Sequence, residues 1–240
     1  MINDIRVALV TGANKGIGLE IARQLAQAGL HVIIGARDDR RAQAAVNDLA
    51  VQGLVAQSVR LDLDDEASIT NAAATIGAEH GKLDILVNNA GIFDTADGPP
   101  GVASIVAVRR VMETNFLGTL AVTQAMLPLL RVASAGRIVN LSSSLGSLTL
   151  NGDPASTYYS QRFIGYNASK AALNMLTVQL QEELRDTPIV VNSVSPGFVR
   201  TDLTGYGDMS PQGGARLPVR YALGGEDSGR FVEATGETPW

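Results

Sequence analysis

Short apolar runs alternate with stretches of helical periodicity along most of the chain, and this alternation most constrains what it can fold into. A strand, a helix and a second strand in succession favour parallel pairing, because the crossover returns the chain to the same end of the sheet. Val7–Val10, Val32–Ile34, Val55–Leu61, Ile85–Val87, Arg137–Leu141 and Ile189–Val194 read as strands, with Arg230–Glu233 as a closing seventh. Gly16–Ala28, Arg40–Val51, Glu66–Glu79 and Tyr166–Arg185 read as helices, and Val102–Arg131 as one long helix irregular near Pro128. No linker breaks the series, so residues 1–240 are expected to form a single α/β domain with a parallel sheet flanked by helices. Ser144–Phe163 and the stretch from Thr204 to about Arg230 lack clear periodicity. Both follow strand C-termini, where open α/β sheets bind ligands, so loop elements at about 144–165 and 203–229 are expected to shape a substrate pocket.

Thr11-Gly12-Ala13-Asn14-Lys15-Gly16-Ile17-Gly18 follows the first strand and opens a helix. Missing Cβ atoms permit a tight turn and close backbone approach, and a helix N-terminus favours an anion. The spacing is Gly-x-x-x-Gly-x-Gly, different from the Gly-x-Gly-x-x-Gly of ordinary dinucleotide sites. A tight strand–helix turn with no ligand is the bland alternative. Far downstream, Tyr166 and Lys170 lie one helical turn apart and share a face. A phenol has an ordinary pKa of about 10, and bringing it near neutrality takes roughly three units, or about 4 kcal/mol. A neighbouring ammonium acts in that direction, so Tyr166 is expected to exchange a proton with Lys170 lowering its pKa. With the glycine turn, the pair points to hydride chemistry at a nicotinamide.

At this point the chain resembles the short-chain dehydrogenase/reductase family. Thr11–Gly18 is similar to its cofactor turn, Asn88-Asn89-Ala90-Gly91 to its structural motif, and Tyr166–Lys170 to its active-site motif; Asn115, Ser143 and Pro196-Gly197 follow in the expected order. The resemblance covers about Val7 to Asp202, and Asn14-Lys15-Gly16, Ala36-Arg37-Asp38 and Pro196–Asp202 look nearest to the carbonyl-reductase branch. It implies a Rossmann-type doubly wound parallel β-sheet and an NADP(H)-dependent enzyme that reduces ketone, aldehyde or quinone carbonyls. The implied catalytic residues are Asn115, Ser143, Tyr166 and Lys170, with Tyr166 as proton donor and Lys170 also binding the nicotinamide ribose. Asn115 would hold a water that relays protons to Lys170, with a purely structural role in a helix irregularity as the alternative. Ser143 ends its strand and can hydrogen-bond the carbonyl oxygen, and Ser142 and Ser144 are its neighbours in register. The implied cofactor contacts are Gly12, Asn14, Lys15, Gly16, Ile17, Gly18, Arg37, Asp62, Leu63, Asn89, Ala90, Gly91, Pro196, Gly197, Val199 and Thr201, together with Tyr166 and Lys170. Asn88 is expected to bind backbone groups and steady the sheet. Asp62 would lie near the adenine, or else cap the following helix.

Coenzyme choice follows from charge. NAD sites place an acid near the end of the second strand. That position holds Ala36, then Arg37, and Lys15 lies in the glycine turn; two cations can flank a 2′-phosphate, which favours NADP(H) over NAD(H). Arg37, Arg40 and Arg41 as a solvated helix entry, or Asp38 and Asp39 as ribose ligands, keep NAD(H) open. Ser143 and Tyr166 stand further apart than in compact family members. The added Leu148–Phe163 segment offers Tyr158, Tyr159 and Phe163 as pocket walls, or as packing of its own loop. Phe93 and Phe198 are further pocket candidates beside core roles. The Gly-rich, polar Thr204–Gly214, with Pro211 as a breaker, is expected to act as a mobile lid.

The composition excludes several classes. The net charge of −5 without a long basic block argues against nucleic acid and anionic membranes as partners. There is no cysteine, so disulfides, thiolate metal sites and cysteine nucleophiles are absent, and His31 and His80 read as a strand start and a solvent-facing residue. Met1–Val7 reads as the approach to a strand, and no apolar run nears the ~20 residues of a membrane span, so a cytoplasmic protein is expected. No Gly-x-Ser-x-Gly elbow is present. Enoyl reductases of the resembled family place a tyrosine seven positions before the lysine, where this chain has Phe163. A small-molecule carbonyl or alcohol is the expected partner, with monomer or homo-oligomer open. A nicotinamide-binding sensor without turnover is the alternative from another class.

Overall fold

The computed structural model describes residues 5–225 and 227–240. The sequence reading of Met1 to Asp4 therefore lies outside the described residues. Strands β1 (Val7–Thr11), β2 (His31–Ala36), β3 (Ala56–Arg60), β4 (Ile85–Asn88), β5 (Arg137–Leu141), β6 (Val190–Val194), β7 (Arg230–Glu233) and β8 (Gly236–Glu237) form one sheet in the order β3-β2-β1-β4-β5-β6-β7-β8. Every pairing from β3 to β7 is parallel, and β8 adds an antiparallel edge. The order reverses between β1 and β4, which opens a crevice at their C-terminal ends.

Side-chain alternation in the strands builds two cores. Ala8 and Val10 of β1, with Val32 and Ile34 of β2, face one apolar cluster that includes Ile21 and Leu25 of α1 (Gly16–Gln27). Val7, Leu9 and Ile33 face the other, shared with Ile76 of α3 (Glu66–His80) and Leu86 of β4. All five residues of β1 are buried, as expected for a central strand covered on both faces. Helix α2 (Asp39–Val51) starts at a cap by Asp38, whose carboxylate accepts from Arg41 N at 3.0 Å. Asp65 caps α3 in the same way, so that role does not belong to Asp62.

Four expectations are corrected here. The long helix is irregular at Asn115, not at Pro128: α4 (Ile105–Met112) and α5 (Thr119–Leu130) are joined by a π turn, Glu113–Gly118, while Pro128 is carried inside α5. The cause is tight packing. A Cβ on Gly118 would lie 2.5 Å from the Leu63 carbonyl oxygen, and Asn115 leaves the helix surface to bond Ile92. Of the first aperiodic stretch, Ser144–Gly146 is a 3₁₀ turn and Leu148–Gly152 a short helix, α6; the helix α7 then runs Ile164–Glu183. Of the second, Pro211–Leu223 forms α8, so Pro211 begins a helix where the sequence reading had a breaker. Proline at the first helical turn loses no hydrogen bond, and Ser210 caps the turn by accepting from Gly213 N. Helix α8 packs against α1, which leaves only the residues before Ser210 as a candidate lid. His80 also departs from its expected exposure: its ring lies 4.8 Å from that of His31 at the start of β2, and its side chain is 15% exposed. No helix among the described residues is long and apolar enough to cross a membrane.

Candidate active site

A cleft of about 370 Å³ runs along the C-terminal ends of β1, β2, β4 and β5. One end is the glycine turn. Gly12 and Gly16 have φ of +64° and +59°, conformations that favour glycine. Gly18 is required by contact: a Cβ there would sit 2.4 Å from Asn89 Nδ2 and 2.6 Å from the Gly12 oxygen. Helix α1 begins at this turn with no side-chain cap and no acid in its first turn. Its orphan N–H groups are therefore free to take an anion. A backbone cradle that a Cβ would fill, at an uncapped helix N-terminus, fits a dinucleotide pyrophosphate.

Asn89 holds the cradle. Its Nδ2 donates to the carbonyls of Thr11 at 2.8 Å and Gly12 at 3.3 Å, while Asn89 N and Ala90 N both donate to Thr11 Oγ1 at 3.0 Å. The expectation that Asn88 binds backbone groups is thus corrected: Asn88 Nδ2 donates to the side chains of Thr123 and Asn140, and the backbone role is taken by Asn89. Strand β2 ends at Ala36, and Arg37 follows into the cleft. Asp38 is committed to its cap on α2. Lys15 has a carboxylate partner that the sequence reading missed: its Nζ lies 2.7 Å from Asp202 Oδ2, across the mouth of the cleft. Asp62 lines the cleft, accepts from Asp64 N, and donates its own N–H to Ser68 Oγ.

Most of the expected cofactor contacts line this one cleft: Gly12, Asn14, Lys15, Gly16, Ile17 and Gly18, then Arg37, Asp62, Leu63 and Asn89 to Gly91, then Tyr166, Lys170, Pro196 and Thr201. Gly197 and Val199 do not. The Val199 side chain is 3% exposed and packs on Gly214, where a Cβ would come within 2.5 Å of Val199 Cγ2. Its segment is closed instead by Thr204, whose Oγ1 donates to the Val199 carbonyl at 2.8 Å and accepts from Thr201 N at 3.0 Å.

The other end of the cleft holds Tyr166 and Lys170, both on α7. Lys170 is 5% exposed; its Nζ donates to the Leu141 carbonyl at 2.8 Å and lies 5.6 Å from the Tyr166 ring centre. Burial pushes the Tyr166 phenol up to about 12, with a hydrogen bond from Ser143 acting the other way, and burial pulls Lys170 down to about 8. The expected lowering of the phenol by Lys170 is therefore not found in the chain itself. The ammonium is tied to a backbone carbonyl, and desolvation dominates at both groups. Of the three serines after β5, Ser142 and Ser144 are buried and bonded within the protein, to Asn174 and to Ser195 and Glu233. Ser143 Oγ accepts from Leu145 N at 3.2 Å and is not among the residues that line the cleft. It bears on the Tyr166 phenol only through the hydrogen bond that acts against burial. Asn115 braces the site from the π turn: Oδ1 accepts from Ile92 N at 2.7 Å, and Nδ2 donates to Ile92 O and Ser169 Oγ. A Cβ on Gly91 would meet Asn115 Oδ1 at 3.3 Å and Lys170 Nζ at 3.6 Å, so these side chains converge there.

Phe93, Phe163 and Phe198 lie outside the cleft lining, and of these Phe93 and Phe163 flank its chemical end. Phe93 makes edge contacts with Phe163, ring centres 5.1 Å apart, and with Tyr166 at 6.0 Å. Phe198 pairs with Tyr206 at 5.2 Å on the loop before α8. In the added segment Tyr158 donates to Glu233, and Tyr159 carries Arg162 over its face. Sequence reasoning missed Asp97, Asp202 and Glu233; each meets its partner across a long stretch of chain, where no local pattern signals the contact.

The family model for short chain dehydrogenase matches residues 6–209. The chain is 37% identical over 232 residues to a short-chain dehydrogenase of Penicillium roqueforti, covering 94% of this chain and 91% of that protein. It is 34% identical to human carbonyl reductase (NADPH) 1, covering all of both chains. Among solved structures, an NADPH-bound carbonyl reductase from chicken fatty liver superposes with a TM-score of 0.85 at 31% identity, covering 98% of this chain and 99% of the other.

Proposed function

The chain belongs to the short-chain dehydrogenase family, an oxidoreductase fold with carbonyl reductases among its relatives, and from that premise we propose that it reduces ketone, aldehyde or quinone carbonyls with NADPH. The observation that carries the reading is the cleft itself, with an anion cradle at one end and Tyr166 beside Lys170 at the other. NADPH, when bound, supplies the hydride. Tyr166 holds the proton that the nascent alcohol oxygen must receive, and a phenol pushed up to about 12 is fully protonated at neutral pH, as a donor must be. Ser143 donates to the carbonyl oxygen and orients it. Removing one such preorganised donor costs on the order of a hundredfold in rate. Lys170 brings an ammonium under the site through its bond to the Leu141 carbonyl, and Asn115 braces the loop that carries Ile92.

NADP(H) is favoured by Ala36 at the end of β2 and by Arg37, which is exposed and has no carboxylate partner among the described residues. The two carbonyl reductases named above also carry NADPH in their names. One observation favours NAD(H) as a second reading: Lys15, the other cation assigned to the 2′-phosphate, is held by Asp202. Apolar substrates are favoured by Phe93 and Phe163 beside Tyr166.

The test follows the absorbance of NADPH and NADH separately against a panel of aromatic ketones, aldehydes and quinones. Consumption that prefers NADPH supports the reading, and preference for NADH overturns the coenzyme. Tyr166→Phe is expected to keep cofactor binding and lose more than about 99% of turnover; full turnover by that variant removes Tyr166 as the proton donor.

A further inference from the structure

Helix α7 has a defect at its N-terminus. Its N-cap position is Phe163, which offers no side-chain acceptor. The first helical N–H groups have no partner within their own helix and must be satisfied from outside. In this chain residues 97 and 98, from the loop after β4, do so. Ile164 N donates to the Gly98 carbonyl at 3.0 Å, Gly165 N to Asp97 Oδ1 at 2.9 Å, and Tyr166 N to Asp97 Oδ2 at 2.8 Å. Asn167 N then donates to Phe163 O, and the helix takes over.

We infer that Asp97 is a positioning residue for Tyr166: its carboxylate caps α7 from another element and fixes the first turn, and with it the register of the phenol against Ser143. The inference rests on the proposed role of Tyr166. A carboxylate suits the place, because two oxygens serve separate N–H donors and a negative charge at a helix N-terminus is stabilising. Local sequence accommodates it. A Cβ on Gly165 would lie 3.1 Å from both Asp97 Oδ2 and Val108 Cα, so glycine lets the loop and α4 close on the helix. Asp97 is itself held, since its N–H donates to the Asp94 carbonyl and its Oδ1 also accepts from Gly98 N. Asp94 pairs with Arg110 of α4 at 2.6 Å. The same loop carries Phe93 against Tyr166 and Phe163. One short segment thus both touches the site where substrate bulk would rest and holds the proton donor by its backbone.

The experiment compares wild type, Asp97→Ala and Asp97→Asn. Asparagine keeps one acceptor oxygen but turns an NH2 toward an N–H donor, so it is expected to fall between the other two. In Asp97→Ala, kcat for carbonyl reduction is expected to drop by about tenfold or more, because a displacement of even 1 Å is costly. The NADPH dissociation constant, read by fluorescence, should stay within about twofold. Unchanged kcat in folded Asp97→Ala, or loss of NADPH affinity in step with kcat, overturns the inference. Amide hydrogen exchange gives a readout independent of turnover: Gly165 and Tyr166 should lose protection in Asp97→Ala, and retained protection overturns the cap. Should Asp97→Ala fail to fold, Asp97→Asn carries both comparisons. Absence of turnover in wild type would count against the proposed function, while the exchange result would still decide the cap.

Discussion

Burial sets the proton affinities of Tyr166 and Lys170, and the lysine makes this testable. Its pKa is lowered to about 8 from an ordinary 10.5 by burial. Between those values the unfolded chain binds more protons than the folded one, so stability rises with pH across that window. Lys170→Met removes the titration. The stability of wild type relative to this variant, from urea unfolding, is expected to improve between about pH 8 and about pH 10. A flat difference would mean that Lys170 is not desolvated. Tyr166, raised by burial, contributes in the opposite sense, but only above pH 10, outside that range. At the far end of the cleft, Lys15→Ala combined with Arg37→Ala is expected to weaken NADPH on the order of tenfold to a hundredfold and to leave NADH nearly unchanged. Equal losses for both coenzymes would reject 2′-phosphate recognition. Tyr166, Lys170 and Ser143 were legible because a tyrosine–lysine spacing and a strand-end serine are local patterns. The Lys15–Asp202 and Asp97–Tyr166 contacts were not, since their partners are separated by most of a domain or several elements.

At the scale of elements, β5 and β7 match their expected limits, while β2 is three residues longer than the expected Val32–Ile34 and the edge strand β8 had no local signal. Helix α8 was not legible either, because Pro211, Gly213, Gly214 and Pro218 all lower helix propensity. Close packing compensates. Gly214 sits where a Cβ would strike Val199, and Gly213 where it would meet Met209 Cγ at 2.8 Å. Gly214→Ala is accordingly expected to destabilise by about 1–3 kcal/mol. It should also weaken cofactor binding, because Val199 lies between Pro196 and Thr201, which line the cleft. Val199→Ala should restore much of the stability when combined with it, as a thermal-melting double-mutant cycle would read. Additive losses would show that Gly214 is not there for this contact. The helix irregularity at Asn115, which the sequence offered only as an alternative, has a tertiary cause as well: a helix-compatible stretch is deformed into a π turn by a neighbour, the Leu63 backbone against Gly118.

Over the whole molecule, the chemistry lies at the C-terminal ends of the strands, while the histidine pair lies where β2 begins and α3 ends. Burial lowers the His80 pKa, and the like charge of His31 adds to it, with Glu79 acting the other way. Neutral His80 can accept from Gln57 Nε2, 2.9 Å away. The folded chain therefore binds the proton less readily than the unfolded one. Stability is expected to be complete above the ordinary histidine value of about 6.5 and to decline as pH falls below it toward the lowered folded value. His80→Gln should flatten that acid limb in melting curves; an unchanged limb would assign it to other groups.

The sequence by itself determined the parallel α/β architecture, the strand order of chemistry along the chain, and the residues that carry family motifs, because apolar periodicity, glycine turns and short spacings are local and survive in one dimension. Tertiary structure decided the rest. It set which cation faces a carboxylate, as Lys15 does with Asp202. It brought a capping acid to a helix that lacked its own, turned a proline into a helix start, raised the Tyr166 pKa where a lowering was expected, and lowered that of Lys170. Each depends on proximity between residues distant in the chain, or on exclusion of water, and both arise only once the two faces of the sheet have been covered.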